Sequence, residues 1–192
     1  LKGSGLTRHT ANTFAALHHA ATRLDMARVG GALYGDVSAD FADQFRPILT
    51  VKARVAAVNH YPARQSVNYD RTFRLERESW LANIPIGYSD GFRRSLSHSN
   101  QPDFAAEGRN ATQVLIGARR YPVVGRVTMN TLMVDVTGDQ DRIHPGDEVV
   151  LFGPQGDQRI TQKELESNAS AYGPELLAML GNGLPKVLKA RP

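Results

Sequence analysis

Among 192 residues there is no cysteine, which excludes disulfides and thiolate metal sites within the chain without fixing its compartment. No apolar run approaches the length of a membrane-spanning helix. The opening, LKGSGLTRHTANTF, lacks the charged stretch and following apolar stretch of a signal peptide. It starts on Leu1 rather than Met, so the chain is expected to begin at an internal point of a longer protein. Metal-ligand spacing is missing as well. The six histidines fall at 9, 18, 19, 60, 98 and 144, and the adjacent His18 and His19 cannot face one ligand from a helix. Charge of one sign is not concentrated anywhere, although the formal net charge is +4 and the pI about 9.6. The densest basic pairs are Arg93-Arg94 and Arg119-Arg120, with Asp or Glu close to most other cations. This pattern describes a solvated mixed surface rather than a nucleic-acid footprint. Repeats and low-complexity segments are also absent.

What is present is the composition of a globular chain, 41% hydrophobic and 22% charged. Residues 12–24 carry an apolar helical face of Ala15, Ala16, Leu17, Ala20, Ala21 and Leu24 behind the N-cap types Asn12 and Thr13. Residues 25–34 read as strand-like and end at Gly35. This is α/β-barrel grammar, too short for a whole barrel. From Pro47 the pattern changes to many short apolar runs separated by Gly, Pro, Asp and Asn, at 48–58, 67–73, 80–87, 112–116, 122–127, 131–136 and 148–152. Such a series predicts an antiparallel barrel or sandwich. Thr161 stands three residues before Glu164, the spacing of a capping box, so a helix is expected from there. A second short helix is expected over 174–180 and a last strand over 184–188. The polar stretch 97–113 is expected to be a surface hairpin. The fold class is therefore the last βα units of a TIM-type α/β barrel, residues 1–46, followed by a mainly antiparallel β-domain, residues 47–192.

Two segments carry chemistry. IPIGYSDGF, residues 84–92, sets Tyr88 in a turn of Gly87, Ser89, Asp90 and Gly91 directly after an apolar run. A turn of this kind holds the backbone tightly and points the phenol outward. VGRVTMNTLMVDV, residues 124–136, has two strand-like halves broken around Met129-Asn130. Alongside them stand HTANTFAA at 9–16, RVGGALYG at 28–35 and SVNYDRTF at 66–73. With these five motifs in this order, the chain resembles the C-terminal half of a fold-type III alanine racemase. The family patterns GY-[AS]-DG-[YF] and VGR-x-[ST]-M-[DN] are both intact.

The resemblance implies an enzyme that uses pyridoxal 5′-phosphate (PLP) to interconvert L- and D-amino acids with two opposed bases. Tyr88 would be one base, acting on the L face. The other would be a Schiff-base lysine upstream, since no lysine of this chain matches it. A phenol near its usual pKa of about 10 needs a partner that favours its anion to act at neutral pH. In the family that partner is a barrel histidine, also upstream. Arg28 would face the pyridine nitrogen. A guanidinium only donates, so the ring nitrogen must accept and stays unprotonated, a poorer electron sink suited to clean proton exchange. Thr13, Gly30 and Gly31 would hold the phosphate, through a hydroxyl and through amides that glycine lets approach closely. Thr13 stands where most family members have Ser. Met129 and Asn130 would contact the substrate carboxylate, partly through the main chain. Asn130 replaces the Asp usual in alanine racemases, and the Met-Asn form resembles the broad-specificity amino-acid racemases. That implies a wider substrate range including basic amino acids, with a strict alanine racemase and a non-catalytic relative as alternatives. Tyr172 corresponds to a phosphate-contacting tyrosine, but Gly173-Pro174 lie between it and the matching helix. Either an insertion displaces it or the contact is lost. The resemblance further implies a head-to-tail homodimer with shared sites, and a periplasmic or else cytoplasmic location.

Overall fold

The computed structural model describes residues 3, 5–100 and 111–189. Most of the expected 97–113 hairpin therefore lies outside the described residues. The chain divides into two compact units, Leu1–Leu49 and Thr50–Pro192.

In the first unit, helix α1 (Thr13–His18) starts where Asn12 accepts a bond from the Ala15 amide at 2.9 Å. It ends well before residue 24, because His19 takes φ −131°, ψ 86°. Thr22 then donates its hydroxyl to the carbonyls of His19 (2.7 Å) and Ala15 (3.1 Å), which closes a 3-10 turn over Ala20–Thr22. The segment 25–34 is not a strand. Its end winds into a one-turn helix, α2 (Gly30–Leu33), where the paired glycines offer no side chains for a pleated face. No strand occurs among the described residues of this unit, so the expected βα units are not formed within it.

The second unit is a curled antiparallel sheet. Its strands are β1 (Val51–Arg54), β2 (Ala57–Tyr61), β3 (Ser79–Ile84), β4 (Gln113–Ile116), β5 (Arg119–Val124), β6 (Leu132–Asp135), β7 (Glu148–Gln155) and β8 (Gln158–Ile160). They run in the order β1-β7-β4-β5-β6-β3-β2, with β8 paired to β7. The two ends of that order, β1 and β2, are separated in sequence only by Val55-Ala56. The Val55 amide bonds Asp147 O beside β7, and the next amide, Ala56, bonds Asn83 O in β3. One dipeptide thus hands the chain from one end of the sheet to the other, which is why the sheet must curl. Val114, Leu115, Val123, Leu132, Val134, Val149 and Leu151 fill the interior, each fully buried. Strand β7 lies between β1 and β4 and is buried almost along its length, as an interior strand should be.

Two expected strands are not formed. Over 67–73, Asn68, Asp70 and Arg71 adopt φ of 58°, 62° and 50°, which breaks the pleat. Only Ser66 and Arg74 bridge across the resulting turn. Residues 184–188 pair with no strand, and Val187 and Leu188 are exposed. Helix α3 (Gln162–Ala169) has the expected capping box. It is followed by α4 (Gly173–Met179).

Candidate cofactor and substrate sites

The Tyr88 turn is built on the loop that carries Met129. Strand β3 ends at Ile84, and residues Tyr88–Asp90 make a single 3-10 turn. Inside the turn, Asp90 accepts a bond from the Gly87 amide at 2.9 Å. The Tyr88 amide then donates to Thr128 O (3.0 Å) and the Ser89 amide to Met129 O (2.9 Å). The Ser89 hydroxyl donates to the same Met129 oxygen at 2.7 Å. Gly87 is what permits this approach: a Cβ there would lie 2.2 Å from Thr128 O. On the other side, Gly91 at φ +89° packs against Met179 O, and the Gly181 amide bonds Asp90 O. Tyr88 is 41% exposed, and no described residue is bonded to its hydroxyl.

The loop opposite is equally ordered. The Thr128 hydroxyl donates to Thr131 O at 2.9 Å and receives the Thr131 amide at 3.2 Å. Thr131 in turn donates to Asn83 Oδ1 in β3. Met129 and Asn130 stand exposed at the tip. Tyr88, Met129 and Asn130 are thus brought together. Tyr172 is not. It sits at the N-terminal end of α4, 74% exposed, whereas the C-terminal end of that helix meets the Tyr88 turn. Seven helical residues separate the two ends by about 10 Å. Gly173 is pressed beneath Glu166 and Gln162, which anchors the inserted pair and leaves the tyrosine outside.

In the first unit, Thr13, Gly30 and Gly31 converge. The Ala32 amide bonds Thr13 Oγ1 at 3.3 Å, and a Cβ on Gly31 would lie 3.3 Å from that oxygen and 3.0 Å from Asp36 O. The first amides of α2 have no intrahelical partner, and the Thr13 hydroxyl keeps its own proton to donate. Gly30 faces open space, with nothing within 4 Å of a built Cβ. Arg28 is pinned by its amide to Ala11 O and donates Nη1 to His9 Nδ1 at 2.9 Å. That bond makes Nδ1 the acceptor, so a neutral His9 carries its proton on Nε2. His9 was not singled out as a site residue from the sequence. Its signal was there, as the first residue of the HTANTFAA motif.

This donor set suits a phosphorylated, nitrogen-bearing ring: a hydroxyl, free amides beside a glycine cradle, and a guanidinium held by His9. The Asp36 carboxylate lies beside this cradle, 3.4 Å from the Gly31 Cβ position.

A curled antiparallel sheet that presents one tyrosine on a glycine-locked turn defines a class of domain, and the model of the alanine racemase C-terminal domain matches residues 48–188. The chain belongs to the alanine racemase family. It is 46% identical over 189 residues to the broad-specificity amino-acid racemase of Aeromonas hydrophila, covering 98% of this chain and 43% of that protein. It is 42% identical over 188 residues to the lysine racemase of Proteus mirabilis, covering 98% and 42%. The chain thus spans about two-fifths of the length of these relatives. Among solved structures, alanine racemase from Streptomyces lavendulae superposes with a TM-score of 0.80 at 30% identity, covering 96% of this chain and 46% of that one. Alanine racemase from Bartonella henselae, with covalently bound pyridoxal phosphate, gives 0.73 at 27% identity, covering 90% and 44%.

Proposed function

We propose that this chain is the C-terminal part of a PLP-dependent amino-acid racemase of broad specificity, with residues 1–46 completing a barrel and the β-domain following. The observation that carries the reading is the Tyr88 turn: two successive amides and one hydroxyl bond it to the loop bearing Met129 and Asn130. A phenol held this way keeps a fixed distance from whatever that loop binds. Support for breadth comes from Asn130 and from the relatives at 46% and 42% identity, a broad-specificity amino-acid racemase and a lysine racemase.

Thr13, Gly30 and Gly31 would hold the phosphate of PLP, and Arg28, braced by His9, would face its ring nitrogen. Tyr172 is a candidate for a further phosphate contact. When bound, PLP supplies the electron sink that makes an amino acid's α-hydrogen acidic. Tyr88 moves a proton at the α-carbon from the L face, while an upstream lysine does so from the D face. Two bases on opposite faces allow inversion without turning the substrate over. Met129 and Asn130 orient the carboxylate, and Asn130 does so without the negative charge of an Asp. We further propose a head-to-tail homodimer in which Tyr88 serves the partner's cofactor, and a periplasmic location by analogy with the broad-specificity group. Among the described residues no helix is long and apolar enough to cross a membrane.

Racemisation assays of the intact enzyme on a panel of L-amino acids test the proposal. Activity on several substrates, lysine and arginine among them, is the expected outcome. A preference for alanine of a hundredfold or more in kcat/KM, about 2.7 kcal/mol, would return it to strict alanine racemase. No racemisation at all would remove the enzyme reading.

A further inference from the structure

We propose that Ser89 is a positioning residue for the substrate-carboxylate subsite, and that its hydroxyl orients the Met129-Asn130 peptide. The proposal rests on the racemase reading above. Its starting point is an unusual pairing. Two successive carbonyls, of Thr128 and Met129, both point at the tyrosine turn, where they receive the amides of Tyr88 and Ser89. In a pleated strand successive carbonyls alternate in direction. Here they do not. Because a trans peptide is planar, with C=O and N–H opposed, each bonded carbonyl sends the N–H of the next residue the other way. The amides of Met129 and Asn130 are therefore turned away from the tyrosine turn together, and neither has a bonded partner among the described residues. Adjacent amides turned to the same side suit an oxyanion such as a carboxylate.

The Met129 carbonyl is held by two donors on one residue, the Ser89 amide at 2.9 Å and the Ser89 hydroxyl at 2.7 Å. The Thr128 carbonyl has only the Tyr88 amide from this turn. The second bond to Met129 exists only because residue 89 carries a hydroxyl. The family pattern admits Ala there, and an alanine would leave the amide alone. Ser89 acts through the Met129 carbonyl, to which both its amide and its hydroxyl are bonded. It fixes the plane whose far side faces the substrate, and it does so from the residue next to Tyr88. Proton transfer and carboxylate binding thus ride on one turn.

The test uses intact enzyme with Ser89→Ala and Ser89→Thr, and propionate as a probe that has the carboxylate but no amino group. Propionate affinity is measured by calorimetry, beside KM and kcat in both directions. Ser89→Ala should weaken propionate about fivefold, the worth of one neutral hydrogen bond, and raise KM by a similar factor for L- and D-substrates. Its kcat should change less than KM. Ser89→Thr keeps the hydroxyl and should remain within about twofold of the parent. Unchanged propionate affinity in Ser89→Ala overturns the proposal, as does equal weakening in both variants. A fall in kcat alone, with KM and propionate affinity intact, is the signature of a merely structural role and also overturns it. Lack of racemisation by the parent enzyme would instead sink the racemase reading itself.

Discussion

A methyl group added at Gly87 would meet Thr128 O at 2.2 Å and Met129 O at 2.5 Å, both main-chain atoms that cannot swing aside. At Gly91 it would meet Met179 O at 2.0 Å, with φ already at +89°. At Gly30 it would meet nothing. The three glycines look alike in sequence and have different work. Gly87→Ala in the intact enzyme should lose about 3 kcal/mol of stability by overpacking, read as a lower urea midpoint. Gly30→Ala should leave stability within about 1 kcal/mol of the parent while weakening PLP binding. Equal stability losses at both would show that Gly30 is structural and remove it from the phosphate cradle. The GYSDG motif was legible because Gly and Asp mark a turn. That its tightness comes from residues some forty positions later was not, since no local pattern encodes which backbone a glycine must approach. The same holds at Asn68, Asp70 and Arg71. Their neighbours Val67, Tyr69 and Phe73 alternate like a strand, and the left-handed φ values override that alternation.

At the scale of elements, the capping box at Thr161 was readable to the residue, because both partners lie within four positions. The helix over 12–24 was readable only in its first half. Its apolar face continues past His19, but the Thr22 hydroxyl takes two main-chain carbonyls and ends it. Strand β8 escaped notice, being three residues long and following β7 through a two-residue turn at Gly156-Asp157. One element is tied in a way that makes it sensitive to alkali. Tyr121 in β5 is 7% exposed and donates to Asp139 Oδ2 at 2.9 Å in the turn after β6. Burial, and then the bond to that carboxylate, push its phenol up to about 12. An unfolded chain would titrate near 10. The protonated phenol therefore favours the fold, fully below pH 10, and that contribution is lost as pH rises toward 12. Relative to Tyr121→Phe, the parent enzyme should be more stable at pH 8 by about 1 kcal/mol. That advantage should shrink or reverse by pH 11. A constant difference across the interval would show that the phenol does not titrate as described.

For the whole molecule, the antiparallel β-domain was legible from its spaced apolar runs, and the curl follows from β1 and β2 being neighbours in sequence at opposite ends of the sheet. The barrel end was expected on a strand over 25–34 that is absent, so residues 1–46 as the end of a barrel rest on the proposal alone. The candidate sites divide in the same way. Tyr88, Met129 and Asn130 meet within one unit, and Thr13, Gly31 and Arg28 with His9 lie within the other. The exposed phenol of Tyr88 is the proposed base on the L face. Deuterium exchange at the α-carbon, measured separately from each enantiomer with intact Tyr88→Phe enzyme, tests it most directly. The substitution removes only the hydroxyl, to which no described residue is bonded, so folding should be unchanged. Exchange from the L-enantiomer should fall about a hundredfold or more, the usual worth of a positioned base, and much further than exchange from the D-enantiomer. Equal losses from both would contradict the face assignment, and undiminished exchange would remove Tyr88 from the chemistry.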